Sequence, residues 1–166
     1  MPGLGLVLNP RAKQHLRDPE LAGRLAAILG AGGLVRAPQS FGELREVARD
    51  FREQGVERVA VAGGDGTNHI TITGLVEAYE GAKLPYFALL RGGTMNTTAN
   101  SFGIPRRGPE WLLKRYCRLF ARRAVKPMPF VEPNVLQVGD KYGFIFGTGC
   151  IYGFIAEYNT KEERSP

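Results

Sequence analysis

Two short glycine-rich segments hold the side chains best suited to chemistry. They are Gly63-Gly64-Asp65-Gly66-Thr67 and Arg91-Gly92-Gly93-Thr94-Met95-Asn96. Each follows an unbroken apolar run, 59–62 and 86–90, of the kind that forms a strand buried on both faces. Glycines at the end of such a strand let backbone N–H groups approach a polyphosphate closely. A helix N-terminus behind them adds partial positive charge. A carboxylate there repels phosphate unless a cation lies between. Asp65 is therefore a candidate Mg2+ partner, direct or through water, or a base for a hydroxyl. In the second segment Arg91 offers fixed charge, and Thr94 and Asn96 offer neutral donors. The spacing is neither GxxxxGK[ST] nor GxGxxG, which excludes a P-loop and an ordinary dinucleotide fingerprint. His69 follows the first loop with no metal-spaced partner and reads as structural or solvated. Cys117 and Cys150 give neither a metal site nor a disulfide framework.

The elements that position these loops follow from periodicity and punctuation. Residues 3–8 form a first strand, stopped by Asn9-Pro10. Asp18-Pro19-Glu20 opens a helix whose apolar face is Leu21, Leu25, Ile28 and Leu29, and glycines at 30–33 end it. A short strand at 34–36 precedes the capping box Ser40-Phe41-Gly42-Glu43. That box opens a second helix with Leu44, Val47, Ala48 and Phe51 inward, ended by Gly55. A third helix is expected from about Asn68 to Tyr79. Strands alternating with helices predict a three-layer α/β/α fold with a mostly parallel sheet, whose ligands bind at the carboxyl ends of the strands.

The pattern changes near residue 125. Lys126-Pro127-Met128-Pro129 breaks helix, and a hairpin is expected about Gly139-Asp140-Lys141. The expected division is an α/β nucleotide-binding domain at 1–125 and a β-rich segment at 126–166. That segment is too short for an independent sandwich of roughly 100 residues. It reads as the start of an all-β domain.

Composition bounds the rest. The chain has 166 residues, a net charge of +6 and 43% hydrophobic residues, which excludes wholesale disorder. No apolar run approaches the ~20 residues of a membrane-spanning helix. The apolar start is too short for a signal peptide. Both thiols are expected to be reduced, in a cytoplasmic protein peripheral to the membrane. The charge is concentrated: residues 106–126 hold eight basic side chains against Glu110. Leu112, Leu113, Tyr116, Leu119 and Phe120 recur there at helical spacing, predicting a basic amphipathic helix over 109–124. Its basic face is either simply solvated or drawn to an anionic membrane, at ~1 kcal/mol per basic residue near the surface. Neither an RNP motif nor a helix-turn-helix pattern is present, so no nucleic-acid partner is expected.

The two loops, with Asn9-Pro10 and Gly103-Ile104-Pro105, resemble the diacylglycerol kinase catalytic-domain family. That family includes bacterial lipid kinases and sphingosine kinases and is distantly related to NAD kinases. The match in order and spacing runs from residue 3 to about 125, and Gly147-Thr148-Gly149 resembles the start of the family's β-sandwich domain. The resemblance implies transfer of the γ-phosphate of ATP-Mg2+ to a lipid hydroxyl. It implies a nucleotide site lined by Asn9, Gly63, Gly64, Asp65, Gly66, Thr67, Arg91, Gly93, Thr94 and Asn96. Asp65 would work with the metal or with the accepting hydroxyl.

This sequence departs from the family at three points. Ile70 stands where a Glu is usual, and Thr97 where an acid commonly follows the loop Asn. The family's chains also run to about twice this length and carry a further acidic motif in their second domain. An NAD-kinase-like enzyme and a nucleotide-binding module without turnover stay open as alternatives. Trp111 and the aromatics at 142–158 are expected in the core or at a domain interface. Exposed without that domain, they would favour self-association into a homo-oligomer.

Overall fold

The strands of the main sheet are short apolar runs that need cover on both faces, and the helices supply it. A computed structural model describes residues 3–122 and 131–144. Strands β1 (Leu4–Leu8), β2 (Leu34–Arg36), β3 (Arg58–Ala62) and β4 (Tyr86–Leu89) form one parallel sheet in the order β2-β1-β3-β4. Helices α2 (Leu21–Leu29) and α6 (Pro109–Ala121) cover one face, where Leu4, Leu6 and Leu8 meet Leu25, Leu112 and Leu113. Helices α3 (Phe41–Glu53) and α4 (Asp65–Tyr79) cover the other, where Val7, Val59 and Val61 meet Phe51 and Leu75. The alternation along β1 and β3 sends successive side chains to opposite layers. Gly5 on β1 makes room for the Phe51 ring, since a Cβ there would lie 2.7 Å from it. Two short helices, α1 (Lys13–Arg17) and α5 (Thr97–Ser101), follow β1 and the second glycine loop.

Local signals worked where they rest on backbone chemistry. Ser40 accepts the Glu43 N–H at 3.2 Å, and Glu43 reaches back to the Gln39 N–H at 2.8 Å. Gly55 closes α3 at φ +63°. Other expectations need correction. Helix α4 starts at Asp65, not near Asn68, so the first loop shrinks to Gly63-Gly64. Strand β4 is not buried on both faces: Tyr86 is exposed because β4 ends the strand order. The N-cap position of α2 is Glu20, while the Asp18 carboxylate meets the Glu20 and Leu21 backbone at the helix start and also grips Arg24. The basic helix ends at Ala121, not Ala124, with Arg122 as its C-cap. Residues 123–130 and 145–166, with the division at 125, Cys150 and Gly147-Thr148-Gly149, lie outside the described residues.

The expected hairpin forms from β5 (Leu136–Val138) and β6 (Lys141–Gly143), with Lys141 inside the strand and Gly139 at φ +62° in the turn. It is a separate two-stranded sheet, and β6 lies against α4. The Thr73 hydroxyl accepts the Tyr142 N–H at 3.0 Å and donates toward the His69 and Tyr142 carbonyls at 3.0 and 3.1 Å. Phe144 packs its ring against Phe87 and Phe102. Thr73→Val keeps the shape and removes the hydroxyl, leaving the Tyr142 N–H unpaired at ~1–3 kcal/mol. The expected result is faster amide exchange at Tyr142, with the exchange of β1 and β3 unchanged.

Candidate functional site

The parallel pairing of β3 and β4 brings the two glycine loops side by side at the carboxyl edge of the sheet. They touch backbone to backbone. The Gly92 N–H donates to the Gly63 carbonyl at 2.6 Å. A Cβ on Gly92 would sit 2.8 Å from Gly63 Cα, and one on Gly93 would sit 2.4 Å from Gly64 Cα. A Cβ on Gly63 would strike the Thr67 side chain at 2.4 Å. Packing between the loops therefore accounts for Gly64, Gly92 and Gly93, and packing on Thr67 of the following helix accounts for Gly63, without any ligand. Gly66 is different. It lies exposed in the first turn of α4, and a Cβ there would meet nothing within 4 Å. Glycine in a helix is about 1 kcal/mol worse than alanine, so nothing in the described chain favours it here.

Helix α4 has no side-chain cap, and the N–H groups of Asp65, Gly66 and Thr67 have no partner among the described residues. Together with Gly66 they form an open, electropositive helix start. Asp65 does not point its carboxylate into that opening. Its Oδ2 accepts the Thr97 N–H at 2.8 Å and its Oδ1 accepts the Thr98 N–H at 2.9 Å. The first residue of α4 thus caps α5 and ties the second loop to the first. Thr97 enters this clamp through its backbone, so its departure from an acid leaves the clamp intact.

Asn9 joins the site from β1. Its Nδ2 donates to Thr67 Oγ1 at 2.8 Å, while its Oδ1 accepts the Arg11 N–H at 2.9 Å. Asn96, at φ +51°, folds the second loop on itself. It accepts the Gly93 N–H at 3.0 Å and donates to the Gly93 carbonyl at 2.8 Å. Thr94 and Met95 are left exposed at the tip. Arg91 departs from its expected role. It is buried, and its Nη2 donates to Asn100 Oδ1 at 2.9 Å and to the Ile104 carbonyl at 2.5 Å. A buried guanidinium needs such acceptors, and they lie at the exit of α5. The residues sequence reasoning missed are Thr98 and Asn100, and only the polar run after Asn96 hints at them.

The structure therefore gathers Asn9, Gly63, Gly64, Asp65, Gly66, Thr67, Gly93 and Asn96 at one edge, with Thr94 on the rim and Arg91 turned beneath α5. No group of three or more His, Cys, Asp or Glu able to hold a metal occurs among the described residues. Each Asp65 oxygen accepts one N–H group and keeps a second lone pair, so the carboxylate retains acceptor capacity for a cation or its water.

The chain's two histidines flank this region. Burial lowers the pKa of His69 below 6.5, and nearby Lys141 lowers it further. Its imidazole lies beneath β6, where a Cβ on Gly143 would come within 2.6 Å of Nδ1. Burial also lowers the pKa of His15, with the Asn9 backbone and Asp18 opposing. Both favour the neutral form when folded, so the unfolded chain binds more protons below its pKa of 6.5. This contribution is complete above pH 6.5 and is lost as pH falls through the depressed folded values. Urea midpoints are expected to fall between pH 7.5 and 5.5 (approximate bounds of the histidine window). His15→Gln should flatten that fall.

Comparisons with known proteins bear on this geometry. Residues 3–129 match the family model of the diacylglycerol kinase catalytic domain. A probable lipid kinase YegS from Salmonella arizonae is 34% identical over 111 residues, covering 67% of this chain and 33% of its own length. A probable lipid kinase YegS-like protein from Citrobacter koseri is 33% identical over 142 residues, covering 84% of this chain and 43% of its own. The chain thus spans less than half the length of these curated relatives. A crystal structure of a diacylglycerol kinase from Bacillus anthracis superposes on 99% of this chain and 55% of its own, with a TM-score of 0.61 at 22% identity. That likeness shows the α/β fold. Among the described residues no helix is long and apolar enough to cross a membrane.

Proposed function

The chain belongs to the diacylglycerol kinase catalytic-domain family, and we propose that it forms the nucleotide-binding part of an ATP-dependent lipid kinase. In this reading the γ-phosphate of ATP passes to a lipid hydroxyl at an anionic membrane. The observation that carries the reading is the open start of α4 beside the paired loops: three N–H groups without a partner among the described residues, at Gly66, where a Cβ would meet nothing. A polyphosphate approaching the start of α4 supplies the missing partner. Phosphoryl transfer depends mainly on positioning and charge neutralisation, which a rigid pair of loops can provide.

The residues take distinct parts. The N–H groups at the start of α4 receive phosphate oxygens, exposed Thr94 offers its hydroxyl from the second loop, and Asn96 holds that loop in shape. Asn9 holds Thr67, and Gly64 and Gly93 let the two loops close on each other. Asp65 fixes their spacing rather than taking the hydroxyl proton. Mg2+ belongs to this reading as an ion carried by phosphate oxygens, with Asp65 reaching it through water. The β5–β6 hairpin against α4 is, in this reading, the beginning of a second, β-rich unit.

The test is calorimetric titration of the folded chain with ATP and Mg2+. Metal-dependent binding, weakened by Gly66→Ala, is expected. A folded chain with no affinity for ATP would overturn the reading. A second reading, nucleotide binding without turnover, draws on the engaged Asp65 oxygens and on Ile70, which is exposed where the family carries an acid. ATP binding with no phosphate transfer to any lipid by the longer protein would favour it.

A further inference from the structure

His15 lies in α1, the short helix that follows β1 and Asn9-Pro10. It is only 7% exposed. Both ring nitrogens are buried, and neither has a hydrogen-bond partner among the described residues. A neutral imidazole carries one donor and one acceptor, and leaving them unpaired in the interior costs stability. A phenyl ring would fill the same space without that cost. Packing accounts for a ring at this position but not for a histidine.

The ring is also what seats α1. The helix has five residues and no side-chain cap, and His15 is the one buried residue within it. Lys13, Leu16 and Arg17 are exposed. A helix this short does not hold itself together in water and depends on what it packs against.

The ring stands beside the Asn9 backbone. Asn9 joins three elements. Its N–H donates to the Ala62 carbonyl at the end of β3, at 3.1 Å. Its carbonyl accepts the Ala12 N–H at 3.0 Å, which turns the chain into α1. Its side chain donates to Thr67 Oγ1, in the first turn of α4, at 2.8 Å. A displacement of α1 therefore reaches the open start of α4 through Asn9.

The charge that acts on the ring is Asp18, just past α1, and Arg24 of α2 already grips that carboxylate. Lys13 and Arg17 are the cations of α1 itself, and Asn9 and Thr67, on the side of β1 and α4, are neutral. Burial outweighs the help of Asp18 and of the Asn9 backbone, so the seated ring is neutral. A proton added to it favours the ring in water, and α1 must lift to let it out.

We propose that His15 is a positioning residue that makes nucleotide affinity depend on pH. Its neutral ring seats α1 and sets the Asn9 turn. Protonation unseats α1, and the hold of Asn9 on Thr67 slackens at the edge where phosphate enters. His15 itself touches no phosphate; it acts through Asn9. The proposal rests on the reading of the start of α4 as a nucleotide site.

Calorimetric titration with ATP and Mg2+ at about pH 7.5 and about pH 5.5, either side of the histidine range, tests it on chains shown to be folded at both. The loss of affinity on acidification should be on the order of tenfold larger in the wild type than in His15→Phe. The phosphates of ATP titrate in the same range, and the comparison cancels their part. His15→Gln is the second variant and should show the same smaller loss. His69→Gln should lose affinity as the wild type does, since its ring lies beneath β6. Coupling is reciprocal, so saturating ATP-Mg2+ should lower the midpoint of the His15 ring proton signal by about one pH unit. The Asn9 side-chain amide signals should move with the same midpoint in the nucleotide-free chain. A merely structural histidine behaves otherwise: its replacement weakens binding equally at both pH values, and ATP leaves its midpoint where it was. Equal losses in the wild type and both variants would overturn the proposal and leave the nucleotide reading standing. A midpoint raised by ATP would also overturn it, since the imidazolium would then be attracting phosphate directly. A folded chain that binds no ATP at either pH would remove the nucleotide reading and this coupling together.

Discussion

Gly66→Ala should make the chain more stable and its nucleotide affinity lower. The two effects have separate causes. A Cβ at residue 66 meets no atom within 4 Å, so the folded state accepts it without strain. Alanine also restricts the unfolded chain, and the gain is about 0.5–1 kcal/mol. The same methyl group would stand where a polyphosphate must approach the N–H groups of Asp65, Gly66 and Thr67. Overpacking of that kind costs ~1–3 kcal/mol, about tenfold to a hundredfold in affinity. Gly93→Ala is the control. Its Cβ would lie 2.4 Å from the Gly64 Cα, an atom of backbone that has no flexible end to move aside. The loops must separate, so stability and affinity should fall together. Thermal melts and calorimetry on both variants read the difference. A destabilised Gly66→Ala would mean that the fold itself demands this glycine. Unchanged affinity would remove the phosphates from the start of α4.

Much of the fold was legible because its signals are local. The apolar runs became β1 and β3, the Ser40–Glu43 box became the start of α3, and Gly139-Asp140 became a hairpin turn. What failed depends on neighbours distant in sequence. Nothing within 86–90 says that β4 lies at the sheet edge; that follows from strand order. The sequence places Asp18 at the start of α2 but does not show Arg24 and Glu110 meeting beside it.

The candidate site shows the same division. The loops were identified by composition, but the use of each glycine was not. Three of them, Gly64, Gly92 and Gly93, serve contact between the loops, which becomes visible only when β3 and β4 are paired. Arg91 was placed toward a ligand by its charge alone. The acceptors that hold it, Asn100 and the Ile104 carbonyl, belong to a short helix whose position no periodicity encodes.

Asp65→Ala should destabilise the chain in the absence of any nucleotide or metal. Each carboxylate oxygen takes a backbone N–H at the start of α5, at 2.8 and 2.9 Å. Hydrogen bonds to a charged group contribute ~1.5–3 kcal/mol each, and partial exposure of this side chain places the loss of the two near the low end, ~3 kcal/mol in all. Asp65→Asn keeps one acceptor but sets an NH2 donor against an N–H donor, so about half of that loss remains. Loosening α5 also slackens the hold of Arg91 on Asn100 and Ile104, and with it the second loop. Urea denaturation without Mg2+ reads the first effect, and amide exchange at Thr97 and Thr98 locates it. A direct metal ligand behaves differently: its removal leaves the metal-free chain as stable as before and abolishes only Mg2+-dependent binding. Stability lost without metal, together with faster exchange at Thr97 and Thr98, would establish Asp65 as the pin between the loops. A metal-free stability equal to the wild type would return it to the metal.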